Sequence, residues 1–144
     1  MNRYIMLVDD NALFRTALSN FLMIQDNIAA TVEVARAEDM IALYRQYRID
    51  VVCMDMDMQG IDGSELTRKL LLTEPNAKII GLSGHADLNH VARMVLAGAK
   101  GYVIKGSQSG ELLGAIEAVC QNQLYFDSAL GVSAVNDWES YLLP

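Results

Sequence analysis

Residues 51–57 read VVCMDMD. Val51–Met54 is a short apolar strand, and the chain turns polar directly after it, beginning with Asp55. The same unit recurs on both sides. Upstream, Arg3–Val8 (RYIMLV) reads as a buried strand that runs into Asp9 and Asp10, and Thr31–Ala35 reads as another. Downstream, Lys78–Leu82 leads to Ser83, and Gly101–Ile104 leads to Lys105. Stretches of helical period separate these runs. Leu13, Phe14, Ala17, Leu18, Phe21 and Leu22 mark the first helix, with Asn11 as its N-cap. Met40, Leu43, Tyr44 and Tyr47 mark the second. Ser64–Thr73 is the third, stopped by Pro75, and Leu88–Ala97 the fourth, ended by Gly98. Leu112, Leu113, Ile116, Val119 and Cys120 define a fifth helix over about Ser109–Gln121. Five βα units in succession predict an α/β fold. The sheet is parallel and doubly wound, with helices on both faces and right-handed crossovers.

Composition agrees with one domain. The 144 residues are 52% hydrophobic and 20% charged, which excludes a disordered or low-complexity chain. No run approaches the roughly 18 uncharged apolar residues of a membrane span. The first ten residues reach Asp9 and Asp10 before any signal-peptide core could form, so the expected location is the cytoplasm. Cys53 and Cys120, neither in a CxxC pair, fit reduced buried thiols. Net charge is −7 and uneven. Residues 1–105 carry all 11 bases against 13 acids, and residues 106–144 carry five acids and no base. Such a surface repels phosphate backbones and anionic lipids, so neither direct nucleic-acid binding nor membrane binding is expected.

Ligands of open parallel sheets sit beyond the carboxyl ends of the strands. There the first, third, fourth and fifth strands deliver Asp9 and Asp10, Asp55, Ser83 and Lys105. Three clustered carboxylates repel one another unless a cation is present. A hard divalent ion such as Mg²⁺, which takes oxygen ligands, relieves the conflict. One carboxylate can then attack phosphorus, and phosphoryl transfer demands mainly positioning and countercharge. His85 and His90 are five apart with no cysteine beside them, and are expected at exposed positions rather than in a metal site.

The set Asp9-Asp10, Asp55, Ser83 and Lys105 resembles the receiver domain of bacterial two-component response regulators. Met58-x-Gly60-x-Asp62-Gly63 and Ala97-Gly98-Ala99-x-Gly101-Tyr102 support the likeness. It covers about residues 3–122 and is strongest to receivers that precede a helix-turn-helix output domain. Gln59 and Gly106 depart from it, standing where the family often has Pro; altered loop stiffness is expected there, not lost chemistry.

The resemblance implies a flavodoxin-like sheet of five strands in the order 2-1-3-4-5, with five helices. Residues 1–122 would be the receiver, and 123–144 a tail or linker. Val135, Trp138 and Leu142 are spaced for a short helix there. The resemblance also implies roles. Asp55 would accept a phosphoryl group from a sensor histidine kinase, phosphotransfer protein or small phosphodonor. Asp10, Asp55 and the backbone carbonyl of Asp57 would hold Mg²⁺, with Asp9 acting through water. Lys105 and Ser83 would contact the phosphoryl group, and Ser83 and Tyr102 would form the switch that controls an output domain or partner protein. The chain would catalyse only its own phosphorylation and dephosphorylation. The fifth helix carries Glu111 and Glu117 and no base. A homodimer would therefore use apolar faces of the first and fifth helices, or the tail around Trp138.

Other readings stand beside this one. Asp55-x-Asp57 after a strand also suits a haloacid-dehalogenase-type phosphatase, although that family opens with the motif. A receiver-like scaffold that is never phosphorylated would be expected to lack an acid, the acceptor or the lysine, and all are present here. Gly81-Leu82-Ser83-Gly84-His85 lacks the second glycine of a serine-hydrolase elbow.

Overall fold

The computed structural model describes residues 2–131. Five helices are arrayed around a parallel sheet. The chain runs β1 (Arg3–Val8), α1 (Ala12–Met23), β2 (Ile28–Val34), a 3₁₀ turn at Ala37–Asp39, α2 (Met40–Gln46) and β3 (Val51–Asp55). A short antiparallel hairpin follows, β4 (Asp57–Met58) with β5 (Ile61–Asp62), where a polar loop was expected. Then come α3 (Gly63–Thr73), β6 (Ile79–Ser83), α4 (Leu88–Ala97), β7 (Gly101–Ile104), α5 (Ser109–Cys120) and β8 (Tyr125–Phe126). A 3₁₀ turn at Ser128–Leu130 follows β8. Among the described residues no helix is long and apolar enough to cross a membrane. The helix expected around Val135, Trp138 and Leu142 lies outside the described residues.

The sheet order is β2-β1-β3-β6-β7-β8, parallel throughout. Its first five members are the five expected strands in the expected order. The five-strand count is corrected to six by β8, where Gly101 pairs with Tyr125 and Tyr102 with Phe126. Two residues carry no readable period, and the register comes from α5 returning the chain beside β7.

Strands covered on both faces must be apolar at every position. β1 sends Met6 and Val8 into one core cluster, and Ile5 and Leu7 into the other. β3 splits in the same way, with Val52 and Met54 opposite Val51 and Cys53. The first cluster is closed by α2, α3 and α4, through Met40, Leu66, Leu70, Val91 and Met94. The second is closed by α1 and α5, through Phe14, Leu18, Leu22, Leu112, Ile116 and Val119. Cys53 is buried, and desolvation pushes its thiol up to about 12. A neutral thiol of that kind behaves as a small core residue.

Candidate functional site

The carboxyl ends of β1, β3, β6 and β7 meet at one rim, and the sequence-predicted residues meet there with them. Asp9 follows β1, its amide donating to the Val34 carbonyl (3.0 Å), and the residue is 3% exposed. Asp55 is the last residue of β3, also 3% exposed. Lys105 follows β7, its amide donating to the Ser83 carbonyl (2.7 Å). The Lys105 ammonium lies 2.8 Å from Asp9 Oδ2 and 3.2 Å from Asp55 Oδ1. It also sits 4.5 Å from the centre of the Phe14 ring. Asp10, one residue past Asp9, is exposed. One oxygen from each of Asp9, Asp10 and Asp55 falls within 4.8 Å of the other two.

Local turn chemistry fixes these oxygens. The Asn11 amide donates to Asp9 Oδ1 (2.8 Å), while Asn11 Oδ1 accepts from the Phe14 amide as the N-cap of α1. The Asp57 amide donates to Asp55 Oδ1 (3.1 Å). Burial raises the Asp55 carboxyl above its ordinary value of 3.8, and Asp9 adds to the rise. The Asp57 amide and Lys105 offset only part of this. At Lys105 the balance goes the other way. Burial alone would lower its pKa, and the combined effect of Asp9 and Asp55 outweighs it, for a net rise. The ammonium stays charged between two buried acids.

Both positions expected to alter loop stiffness have a structural account. Gln59 donates its backbone N–H to Asp10 Oδ2 (2.8 Å), a bond proline could not supply. Gly106 takes φ +89° in the turn where the Ser107 amide donates to the Ile104 carbonyl, and proline cannot reach that φ. Gly63 is set by contact. A Cβ there would stand 2.4 Å from the Asp55 carbonyl oxygen, so α3 could not start this close to the acid loop.

Ser83 is fully buried, and its Oγ accepts the His85 amide (3.0 Å). That Oγ lies 3.5 Å from Asp57 Oδ2. Tyr102 is buried too, its hydroxyl donating to the His85 carbonyl (2.9 Å), and burial pushes the phenol up to about 12. Asp57 is placed in the hairpin, with its side chain about half exposed and facing Ser83 and His85.

Two features were missed from sequence. His85 and His90 are stacked, and Asp87, between them in the chain, pairs with His90; the spacing His85-x-Asp87-x-x-His90 was the available signal. Asp127 is 1% exposed and clasps the Lys105 loop from below. Its Oδ2 accepts from the Ile104 amide (2.9 Å) and from Ser107 Oγ (2.6 Å), and its Oδ1 from the Ala129 amide (3.0 Å). A lone acid after a weak strand carries no signal for that.

Residues 5–117 match the family described as the response regulator receiver domain. The chain is 37% identical over 124 residues to the response regulator UvrY of Escherichia coli strain K12, covering 86% of this chain and 57% of that one. It is 35% identical over 121 residues to the response regulator GacA of Pseudomonas aeruginosa, covering 84% and 56%. The chain thus spans about half the length of these relatives. Its fold matches the crystal structure of a LuxR-family two-component response regulator from Aurantimonas sp. SI85-9A1. That match has a TM-score of 0.82 and 29% identity, and covers 99% of this chain and 96% of the other.

Proposed function

The chain belongs to the response regulator receiver family of two-component systems, and on that footing we propose that it accepts a phosphoryl group on Asp55. The observation that carries the reading is the rim itself. A poorly solvated carboxylate stands 3.2 Å from a charged ammonium and within reach of two further acids. Both contacts described above for the Asp55 carboxylate fall on Oδ1. Oδ2 is the nucleophile: it bonds to phosphorus as the bond from phosphorus to the donor breaks. The donor is a phosphohistidine of a kinase or phosphotransfer protein, or an acyl phosphate. The leaving imidazole or carboxylate keeps the electron pair.

The donor set fits a hard divalent cation, being all oxygen and partly open to solvent through Asp10. Asp10, Asp55 and the Asp57 carbonyl would hold Mg²⁺, with Asp9 acting through water. Bound there, Mg²⁺ would supply countercharge for the phosphoryl oxygens. Lys105 pairs with one of those oxygens, and Ser83 donates its hydroxyl to another. To do so Ser83 gives up its contact with Asp57. Tyr102, packed inward beneath the same loop, moves with it, and α4 and β7 carry the change to an output domain or partner. The chain turns over only its own acyl phosphate. It does so in the cytoplasm, alone or as a homodimer through the apolar faces of α1 and α5.

Phosphorylation is tested by intact-mass labelling with acetyl phosphate and Mg²⁺, alongside beryllofluoride binding. One phosphoryl adduct is expected on the native chain and none on Asp55→Ala. An adduct that persists in Asp55→Ala moves the acceptor elsewhere. No adduct and no beryllofluoride complex on the native chain would make it a scaffold that is not phosphorylated.

A further inference from the structure

A second group of ligand-type side chains lies on the β6–α4 loop, and the phosphoryl chemistry leaves it idle. Asp87 caps α4: its Oδ1 accepts the His90 amide (3.1 Å), and its Oδ2 is 2.6 Å from His90 Nδ1. The His85 ring stacks on that of His90, with centroids 4.1 Å apart and planes 8° from parallel. His85 Nε2 in turn lies 3.3 Å from Asp57 Oδ2, on the β4–β5 hairpin. One ligand atom from each of His85, Asp87 and His90 falls within 4.8 Å of the other two.

The chemistry of this group differs from that of the rim. Imidazole nitrogens with a carboxylate suit borderline transition ions, whereas an all-oxygen set suits Mg²⁺. The side chains are also reachable. His85 is 47% exposed, Asp57 53%, Asp87 54% and His90 24%. An ion can therefore enter from solvent. The spacing brings the three together, since His85 and Asp87 directly precede α4 and His90 lies in its first turn.

We propose that His85, Asp87 and His90 bind a divalent transition ion of the Zn²⁺ class, with the Asp57 carboxylate as a fourth ligand in reach. His85, Asp87 and His90 lie outside the acid rim, and Asp57 borders both, with its carbonyl at the rim and its carboxylate here; binding does not depend on phosphorylation of Asp55. A bound ion would tie the β6–α4 loop to the hairpin. Ser83 Oγ, which accepts the His85 amide, lies directly beneath that loop. The ion would thus hold still a segment that the phosphorylation switch needs to move.

The test is calorimetric titration of Zn²⁺ into the full chain, with millimolar Mg²⁺ present to occupy the rim. Co²⁺ serves as a visible-absorption probe of the same site. One equivalent of Zn²⁺ is expected to bind the native chain and Asp10→Asn alike. Replacing both rings, His85→Gln with His90→Gln, is expected to weaken binding by more than the roughly 10–100-fold that loss of an outer-shell partner costs. The Co²⁺ spectrum should show no thiolate charge-transfer band. Equal binding by the double variant would overturn the proposal, as would loss of binding in Asp10→Asn, a thiolate band from Cys120, or no binding by the native chain.

Discussion

Lys105→Met separates a convergent acid rim from a coincidental one. Methionine keeps an unbranched apolar stem and removes the charge, together with the contact that the ammonium makes over the Phe14 ring. Asp9 and Asp55, each 3% exposed, then share the rim without the ammonium that now stands 2.8 and 3.2 Å from them. Removing one partner of a buried ion pair costs roughly 3–5 kcal/mol. Here the lysine side chain keeps 23% exposure, so water screens part of its field. A carboxylate can also take up a proton to escape the repulsion. The expected loss is therefore about 2–3 kcal/mol at neutral pH. For a chain of this size that corresponds to a fall in Tm of about 6–9 °C. Millimolar Mg²⁺ should recover part of it, raising Tm more in Lys105→Met than in the native protein. Adding Asp9→Asn should also restore stability, so that the double variant is less damaged than the two singles combined. The assay is thermal unfolding followed by circular dichroism, with and without Mg²⁺. A Lys105→Met protein melting within about 2 °C of the native one would refute the reasoning, as would strict additivity in the cycle.

Asp55→Asn should stabilise the Mg²⁺-free protein at neutral pH. An acid whose pKa is raised on folding holds its proton more tightly folded than unfolded. Stability therefore falls as pH rises from 3.8 through the raised value, and asparagine removes that fall. Melting curves from pH 3 to 7 should show the Tm gap between variant and native opening in that window, and a gap independent of pH would contradict the burial of Asp55. Gly63→Ala places a methyl 2.4 Å from the Asp55 carbonyl oxygen and 2.7 Å from Met56 Cα, both backbone atoms that cannot rotate aside. A loss of about 1–3 kcal/mol in urea unfolding is expected, with slower acetyl phosphate labelling; an unperturbed midpoint would mean that α3 is free to shift. Asp127→Ala leaves the Ile104 amide without its carboxylate acceptor. Amide exchange at Ile104 should accelerate, and about 2–3 kcal/mol of stability should be lost; unchanged protection would show that the clasp is not needed.

The rim was legible because each of its side chains sits at or just past the end of an apolar run. A strand covered on both faces writes itself as consecutive Val, Ile, Leu and Met, and its end is marked by the first polar residue. Asp9, Asp55, Ser83 and Lys105 were all found in that way. The β4–β5 hairpin and β8 were not legible, because each strand has two residues and its pairing is set by the turns that deliver it. Gln59 showed its departure from the family without its cause, since a backbone N–H aimed at Asp10 leaves no mark in residue type. The stacking of His85 on His90 depends on how the chain enters α4, and the bare spacing does not specify that.

β8 bears on how this chain behaves in a crowd. An uncovered strand offers a row of amides and carbonyls on which a foreign strand can grow. β7 would offer such a row from Lys100 to Ile104, and the returning chain takes it up with very little material. The Tyr125 amide donates to the Lys100 carbonyl, and the Asp127 amide to the Tyr102 carbonyl. The Asp127 carboxylate then takes the Ile104 amide in place of a third backbone partner. The Ile104 amide is thereby taken up by a buried side chain and is not open to an incoming strand. The edge that remains is β8, only two residues long and so a poor template, and a chain cut after residue 122 would expose the longer β7 edge instead.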